Sequence, residues 1–126
     1  MTLLKEMQQM IDEAHSGEPA GLRYNAGKAR YDLVPPDALE ELVKVYTMGA
    51  EKYAPRNWEL GLSWSACFAS LMRHAWAWMR GEDRDAESGQ LHMAHVAWNA
   101  LTLVAFALRG DGTDDRPNPR VDRSQS

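Results

Sequence analysis

Apolar positions recur at helical spacing in four stretches of the chain. Leu3, Met7, Met10 and Ile11 or Ala14 share one side of residues 3–15, which predicts a short amphipathic helix. From residue 36 to residue 53, Leu39, Leu42, Val43, Tyr46, Ala50 and Tyr53 line one face, and Asp37, Glu40, Glu41, Lys44, Thr47 and Glu51 line the other. Pro36 suits the first turn of that helix, and Asp37 complements its N-terminal dipole. Ser63 is placed to cap a third helix over residues 64–80, with Gly81 just beyond its end and a narrow polar side of Ser70, Arg73, His74 and Arg80. The fourth stretch, residues 90–109, is apolar nearly all the way round apart from His92, His95, Asn99 and Thr102. At about 100° per residue, offsets of 0, 3, 7 and 10 put those four within one stripe about 80° wide. A helix this apolar belongs at a domain centre, where polar groups are costly unless they bond something specific.

The connections are equally legible. Gly17, Pro19, Gly21, Gly27 and the Pro35-Pro36 pair break residues 16–35 into a long loop, and residues 54–62 read as a second loop. Residues 81–89 (GEDRDAESG) form an acidic turn between the two most apolar helices. After Arg109 the chain is rich in breakers and has Val121 as its one apolar residue, so residues 110–126 are expected to be a disordered tail. With no strand-like alternation, the fold class is all-α: a small helical bundle of three substantial helices and a short one, in a single domain over residues 1–109.

Composition narrows the function. The 126 residues are 44% hydrophobic and 25% charged with a formal charge of −4, which offers no basic field for a polynucleotide. A lone cysteine, Cys67, excludes an internal disulfide and multi-cysteine zinc sites, and the expected setting is the cytoplasm. Between Ala66 and Phe68 that thiol reads as buried and inert. No stretch is apolar for long enough to span a membrane, and Lys5, Glu6, Asp12 and Glu13 interrupt any signal-peptide pattern.

The histidine stripe is a candidate metal or phosphate site, the alternative being plain hydrogen bonding to neighbouring helices. His74 faces the same site if the two apolar helices are antiparallel neighbours. Glu82, Asp83, Asp85 and Glu87 offer oxygen ligands suited to magnesium, and beside three histidines they also suit a transition metal. Arg23, Asn25, Lys28 and Arg30 with Gly27 could grip phosphate oxygens, although the spacing is not that of a P-loop. Lys52, Arg56, Asn57 and Trp58 form a second cluster, in which an indole could stack on a base and an amide could read its edge. Trp64, Trp76, Trp78 and Trp98 read as packing or subunit interface.

Taken together, Arg30-Tyr-Asp32-Leu-Val-Pro35-Pro36, Gly49-Ala-Glu-Lys52-Tyr53, Arg56-Asn57-Trp58, Arg73-His74, Gly81-Glu82-Asp83-Arg-Asp85, Glu87-Ser-Gly89 and His92-Met-Ala-His95-Val-Ala-Trp98-Asn99 resemble the phage-associated dATP/dGTP diphosphohydrolase N-terminal domain family. The similarity runs from about Arg23 to Leu108 and links the chain to MazG-like all-α nucleotide pyrophosphohydrolases. It implies hydrolysis of purine deoxynucleoside triphosphates to monophosphate and pyrophosphate with Mg2+ or Mn2+, in a homodimer or homotetramer that shapes the phage dNTP pool. The broader MazG-like pattern carries Glu-x-x-Glu on one helix and Glu-x-x-Asp on a later one. Here Asp37-x-x-Glu40 is the nearest earlier pair, Glu82-x-x-Asp85 sits in the turn, and His92-x-x-His95 occupies the later helix.

On this basis Glu82, Asp83, Asp85, His74, His92 and His95 are the expected metal ligands, and Glu82, Asp85 and Glu41 the expected catalytic carboxylates. Lys28, Arg30, Lys52 and Arg73 are expected to neutralise phosphate, and Asn57, Trp58 and Asn99 to contact the substrate. The rival readings are a non-catalytic phage accessory protein that binds nucleotide or another protein, and a three-histidine transition-metal protein.

Overall fold

The computed structural model describes residues 2–14, 21–24 and 26–117. It divides into two compact units, residues 1–31 and residues 32–126. In the first, α1 (Thr2–Ala14) forms where the amphipathic spacing predicts it. Leu3, Leu4, Met7 and Met10 are exposed. The side chains of Ile11 and Ala14, and Asn25, lie outside the described residues.

The second unit holds three further α-helices: α2 (Pro36–Lys52), α3 (Trp64–Met79) and α4 (His92–Arg109). Short 3-10 turns lie at Tyr31–Leu33, across the boundary between the units, and at Asn57–Leu60. Among the described residues there is no strand, only the isolated bridges Ser63 to Thr113 and Arg84 to Leu91. The fold is all-α, as the periodicity predicts.

The helix ends follow local chemistry. Pro36 opens α2, where its missing N–H costs nothing, and the Asp37 carboxylate accepts the Ala38 N–H at 2.9 Å. The Ser63 hydroxyl accepts the Ala66 N–H and caps α3. Gly110, at a φ of 71°, closes α4 by donating its N–H to the Phe106 carbonyl at 2.7 Å.

Helix α4 is central and packs on both α3 and α2. Its polar stripe therefore faces inward: His92 and Asn99 are each 4% exposed and Thr102 is 0% exposed. The buried apolar core is small, made of Val45, Cys67, Ala77, Ala94 and Phe106. The predicted apolar face of α2 is only partly covered, with Leu39, Val43 and Tyr53 exposed, because within this unit α2 packs mainly on α4.

Residues 110–117, the first part of the segment read as a tail, make specific contacts with the start of α3. Thr113 donates its N–H to the Leu62 carbonyl and accepts the Trp64 N–H, at 3.1 and 3.0 Å. Asp115 accepts from the Ser65 N–H and the Ser63 hydroxyl, each at 2.9 Å. Backbone pairing and a carboxylate cap thus replace the missing apolar residues as the means of holding this segment. The remainder of the predicted tail, residues 118–126, lies outside the described residues.

Candidate active site

Helices α3 and α4 are joined by a short connection that reverses the chain and holds itself in shape. The Glu82 N–H bonds the Ala77 carbonyl at 3.1 Å, Asp85 N–H bonds Gln90 at 2.8 Å, and Gly89 N–H bonds Asp85 at 2.7 Å. The His92 N–H, one of the orphan donors at the start of α4, bonds the Asp83 carbonyl at 2.8 Å. This connection sets His74 of α3 against His92 and His95 of α4.

The three imidazoles are in contact. Nδ1 of His74 lies 2.8 Å from Nδ1 of His92, so one ring donates and the other accepts. The rings of His74 and His95 stack with centroids 4.3 Å apart and planes 5° from parallel. His74, Asp85 and His92 each offer a ligand atom, and all three atoms lie within 4.8 Å of one another. His92 Nε2 is buried with no hydrogen-bond partner among the described residues, although Glu82 Oε2 stands 3.4 Å away.

Burial pushes the His74 and His95 imidazoles below their usual pKa. At His74 the neighbouring His95, His92 and Arg73 add to this while Asp85 opposes it, and at His95 Asp85 again opposes it. For Asp85, burial alone would raise the carboxyl. Hydrogen bonds from Ser88 and the charges of His74 and His95 outweigh that and leave it lowered. Neutral imidazoles beside an ionised carboxylate are the protonation states that a divalent cation requires.

His95 also borders a cleft of about 1070 Å³ whose walls come from α2, the loop after it, α3 and α4. Lys52, Asn57, Trp58, Ser70, Trp98 and Asn99 line it with Tyr46 and Arg109. Tyr46 meets Trp98 at 5.9 Å and Trp58 at 6.4 Å between ring centroids, and the Arg109 guanidinium lies over Trp58. Asn99 Nδ2 donates to the His95 carbonyl at 2.9 Å and lies 3.3 Å from the Ser70 hydroxyl, which fixes the amide's orientation.

The structure brings together most of the residues that the sequence singles out. His74, Asp85 and His92 converge, with His95 and Glu82 beside them. Asp83 takes part through its backbone carbonyl, and the residue itself is exposed. Lys52, Asn57, Trp58 and Asn99 line the cleft, with Lys52 Nζ 4.0 Å from Glu87 on the acidic turn. Glu41 is tied to Lys44 at 2.9 Å and lines neither the cleft nor the cluster, and Arg73 is exposed on α3. Lys28 and Arg30 belong to the first unit. Sequence reasoning named Ser70 only as part of the polar side of α3, did not single out Ser88, and read Trp98 as packing or subunit interface. The Asp85-x-x-Ser88 spacing was the available signal for Ser88, because such a spacing closes a side-chain turn.

The chain matches the family model described as dATP/dGTP diphosphohydrolase, N-terminal, over residues 18–116. It belongs to that family. A dATP/dGTP diphosphohydrolase of Salmonella phage PMBT28 is 32% identical over 95 residues, which is 75% of this chain. The chain spans about a third of the length of that relative, 32%. No solved structure matches it. The family match takes in α2, α3, α4 and the acidic connection, so it covers the whole histidine cluster and the cleft.

Proposed function

We propose that the protein hydrolyses purine deoxynucleoside triphosphates, dGTP or dATP, to the monophosphate and pyrophosphate with Mg2+ or Mn2+. The observation that carries this is the convergence of His74, Asp85 and His92, with a buried His92 nitrogen that has no hydrogen-bond partner among the described residues, beside a cleft of nucleotide size. The substrate class comes from family membership and the name of the phage relative. His74, Asp85 and His92 fit a divalent cation, and Glu82 stands within reach of His92. Bound there, the ion would polarise the phosphates and lower the pKa of a water.

Lys52 would offset phosphate charge at the cleft wall, and Asn57, Trp58 and Asn99 would contact the nucleoside. The Tyr46, Trp58 and Trp98 rings supply the apolar surface that a purine needs. A phage setting in the host cytoplasm and a role in shaping the dNTP pool belong to the same proposal. So do a MazG-like arrangement and self-association, which the exposure of Trp76, Trp78 and Met79 on α3 supports. Among the described residues, no helix is long and apolar enough to cross a membrane.

The test is incubation of the pure protein with each dNTP and Mg2+ or Mn2+, followed by separation of products. Release of dNMP and pyrophosphate from dGTP or dATP is the expected result. Nucleotide binding without turnover would replace this reading with that of a binding protein.

A further inference from the structure

The bonds around Asn99 settle which way its amide faces. A backbone carbonyl oxygen can only accept, so the side-chain atom 2.9 Å from the His95 carbonyl is Nδ2, and its second hydrogen goes to the Ser70 hydroxyl at 3.3 Å. Both amide donors are thereby used within the protein. Oδ1 accepts no hydrogen bond among the described residues, and it is not sealed from solvent as His92 Nε2 and Thr102 Oγ1 are. Ser70 accepts from Asn99, so its own hydroxyl hydrogen is left without an acceptor among the described residues. Asn99 is 4% exposed, Ser70 is half-buried, and both line the cleft, so this spare bonding capacity opens on the cleft. The wall therefore presents an acceptor on α4 beside a donor on α3. A hydroxyl is the small group that meets both, with one hydrogen to give and two lone pairs to accept. The order of residues along α4 says which hydroxyl. Asn99 lies about 6 Å, one turn, beyond His95 at the border with the histidine cluster, and the cleft continues to Arg109, whose guanidinium lies over Trp58. Phosphate, sugar and base follow one another in a nucleotide. With phosphates at the cluster and the base toward Trp58, the sugar falls beside Asn99.

We propose that Ser70 and Asn99 form a recognition site for the 3′-hydroxyl of the substrate's deoxyribose, with Ser70 donating to it and Asn99 Oδ1 accepting from it. This rests on the nucleotide reading of the cleft given above. The pair takes no part in the chemistry and acts on substrate choice alone. A nucleotide that lacks the hydroxyl leaves two enclosed polar groups unbonded, which costs more than the absent bonds would have contributed in water. The site therefore selects for a sugar with a free 3′-hydroxyl and rejects dideoxy analogues.

The experiment uses the full chain with Mn2+ and compares dGTP and dATP with their 2′,3′-dideoxy counterparts, which keep the base and the triphosphate and lack only this hydroxyl. In the wild type kcat/KM should be at least about tenfold lower for the dideoxynucleotides. Ser70→Ala should lower kcat/KM about fivefold or more for dGTP and dATP and leave the dideoxynucleotides within about twofold, so that most of the preference disappears. Ser70→Thr, which keeps a hydroxyl, should keep the preference. Asn99→Leu should also erase it, with a melting curve to confirm the fold. Equal use of deoxy and dideoxy nucleotides by the wild type would overturn the proposal. So would an equal loss on both in Ser70→Ala, which would set the pair against the base or make its role structural. If the wild type turns over neither kind, calorimetric binding of the same four nucleotides decides. A tenfold preference for the 3′-hydroxyl that vanishes in Ser70→Ala keeps the pair and removes hydrolysis, whereas no binding removes both.

Discussion

The two ends of α4 use similar polar chemistry to opposite effect. At its C-terminal end, residues 110–116 fold back onto the start of α3. There Asp115 accepts from Ser63 and Ser65, the Trp64 indole N–H bonds the Asp111 carbonyl at 3.0 Å, and the Arg116 guanidinium lies over the Trp64 ring. At its N-terminal end, three imidazoles and a carboxylate crowd together, and one buried nitrogen of His92 has no hydrogen-bond partner among the described residues. The saturated end closes the fold. The unsaturated end is the one with bonding capacity left for a ligand, because a buried polar atom without a partner costs stability that packing elsewhere has to offset.

The largest expected effect separates the two ends by activity. His92→Ala should lower dNTP turnover by at least about 100-fold and weaken Mn2+ binding, with a moderate loss of thermal stability, because it removes a buried ring and its bond to His74 along with the unbonded Nε2. Steady-state kinetics and a melting curve on the same preparation check both halves. A variant that melts far lower while the folded fraction keeps full turnover would make the histidine end structural.

The converse change lies at Gly112. Its φ is +75°, and a Cβ there would stand 2.6 Å from the Leu62 carbonyl and 3.0 Å from Trp64 Nε1. Gly112→Ala should destabilise the fold by about 2 kcal/mol through backbone strain and that clash. Urea titration should show a lower midpoint, and turnover per folded molecule should be unchanged well below the melting range. A proportionate loss of kcat at low temperature would mean that the two ends are coupled through α4.

The legibility of the sequence divides along the same line. The helices could be read because spacing, Pro36, Ser63 and Gly81 are local signals that act over one or two turns. The stripe could be read because a polar group on an otherwise apolar helix conflicts with burial whatever the tertiary arrangement. The partners of that stripe could not. Ser88 meets His95 across a loop, Trp98 turns to the cleft wall because of where α2 packs, and Asp115 reaches Ser63 and Ser65 across 52 and 50 residues. Glu41 illustrates the reverse failure: a carboxylate on a polar face looks available in one dimension, but its geometry pairs it with Lys44.

Acid should act on the two ends in different windows. His74 and His95 are held below the usual 6.5 by burial, so on acidification the unfolded chain takes up protons first. Their contribution to stability is present above pH 6.5 and is lost as the pH falls through the folded values. Asp115 is lowered from 3.8 to about 2 by its bonds from Ser65 and Ser63, so its contribution holds above 3.8 and disappears toward pH 2. Melting temperatures of the metal-free protein should therefore begin to fall near pH 6.5, and less so in His95→Gln. The gap between wild type and Asp115→Asn should stay constant down to about pH 4 and then close. A gap that closes near pH 6 would be inconsistent with the clasp assigned to Asp115.

The smallest effect tests whether a missing partner is enough to mark a site. Among the described residues Thr102 Oγ1, like His92 Nε2, is buried without a hydrogen bond, and the Tyr46 side chain comes near it but outside hydrogen-bonding geometry. Thr102 does not line the cleft and, unlike His92, does not join the converging ligand atoms. Thr102→Val removes the hydroxyl at nearly constant volume and should raise stability by about 1 kcal/mol with kcat and KM unchanged, read by chemical denaturation and kinetics. If it destabilises instead, the Tyr46 hydroxyl closes on Thr102 in solution and the stripe is more completely bonded than its geometry indicates. If it impairs turnover, the polar stripe acts as one unit from His92 to Thr102, and the boundary between site and core lies nearly three turns further along α4 than the metal-ligand geometry places it.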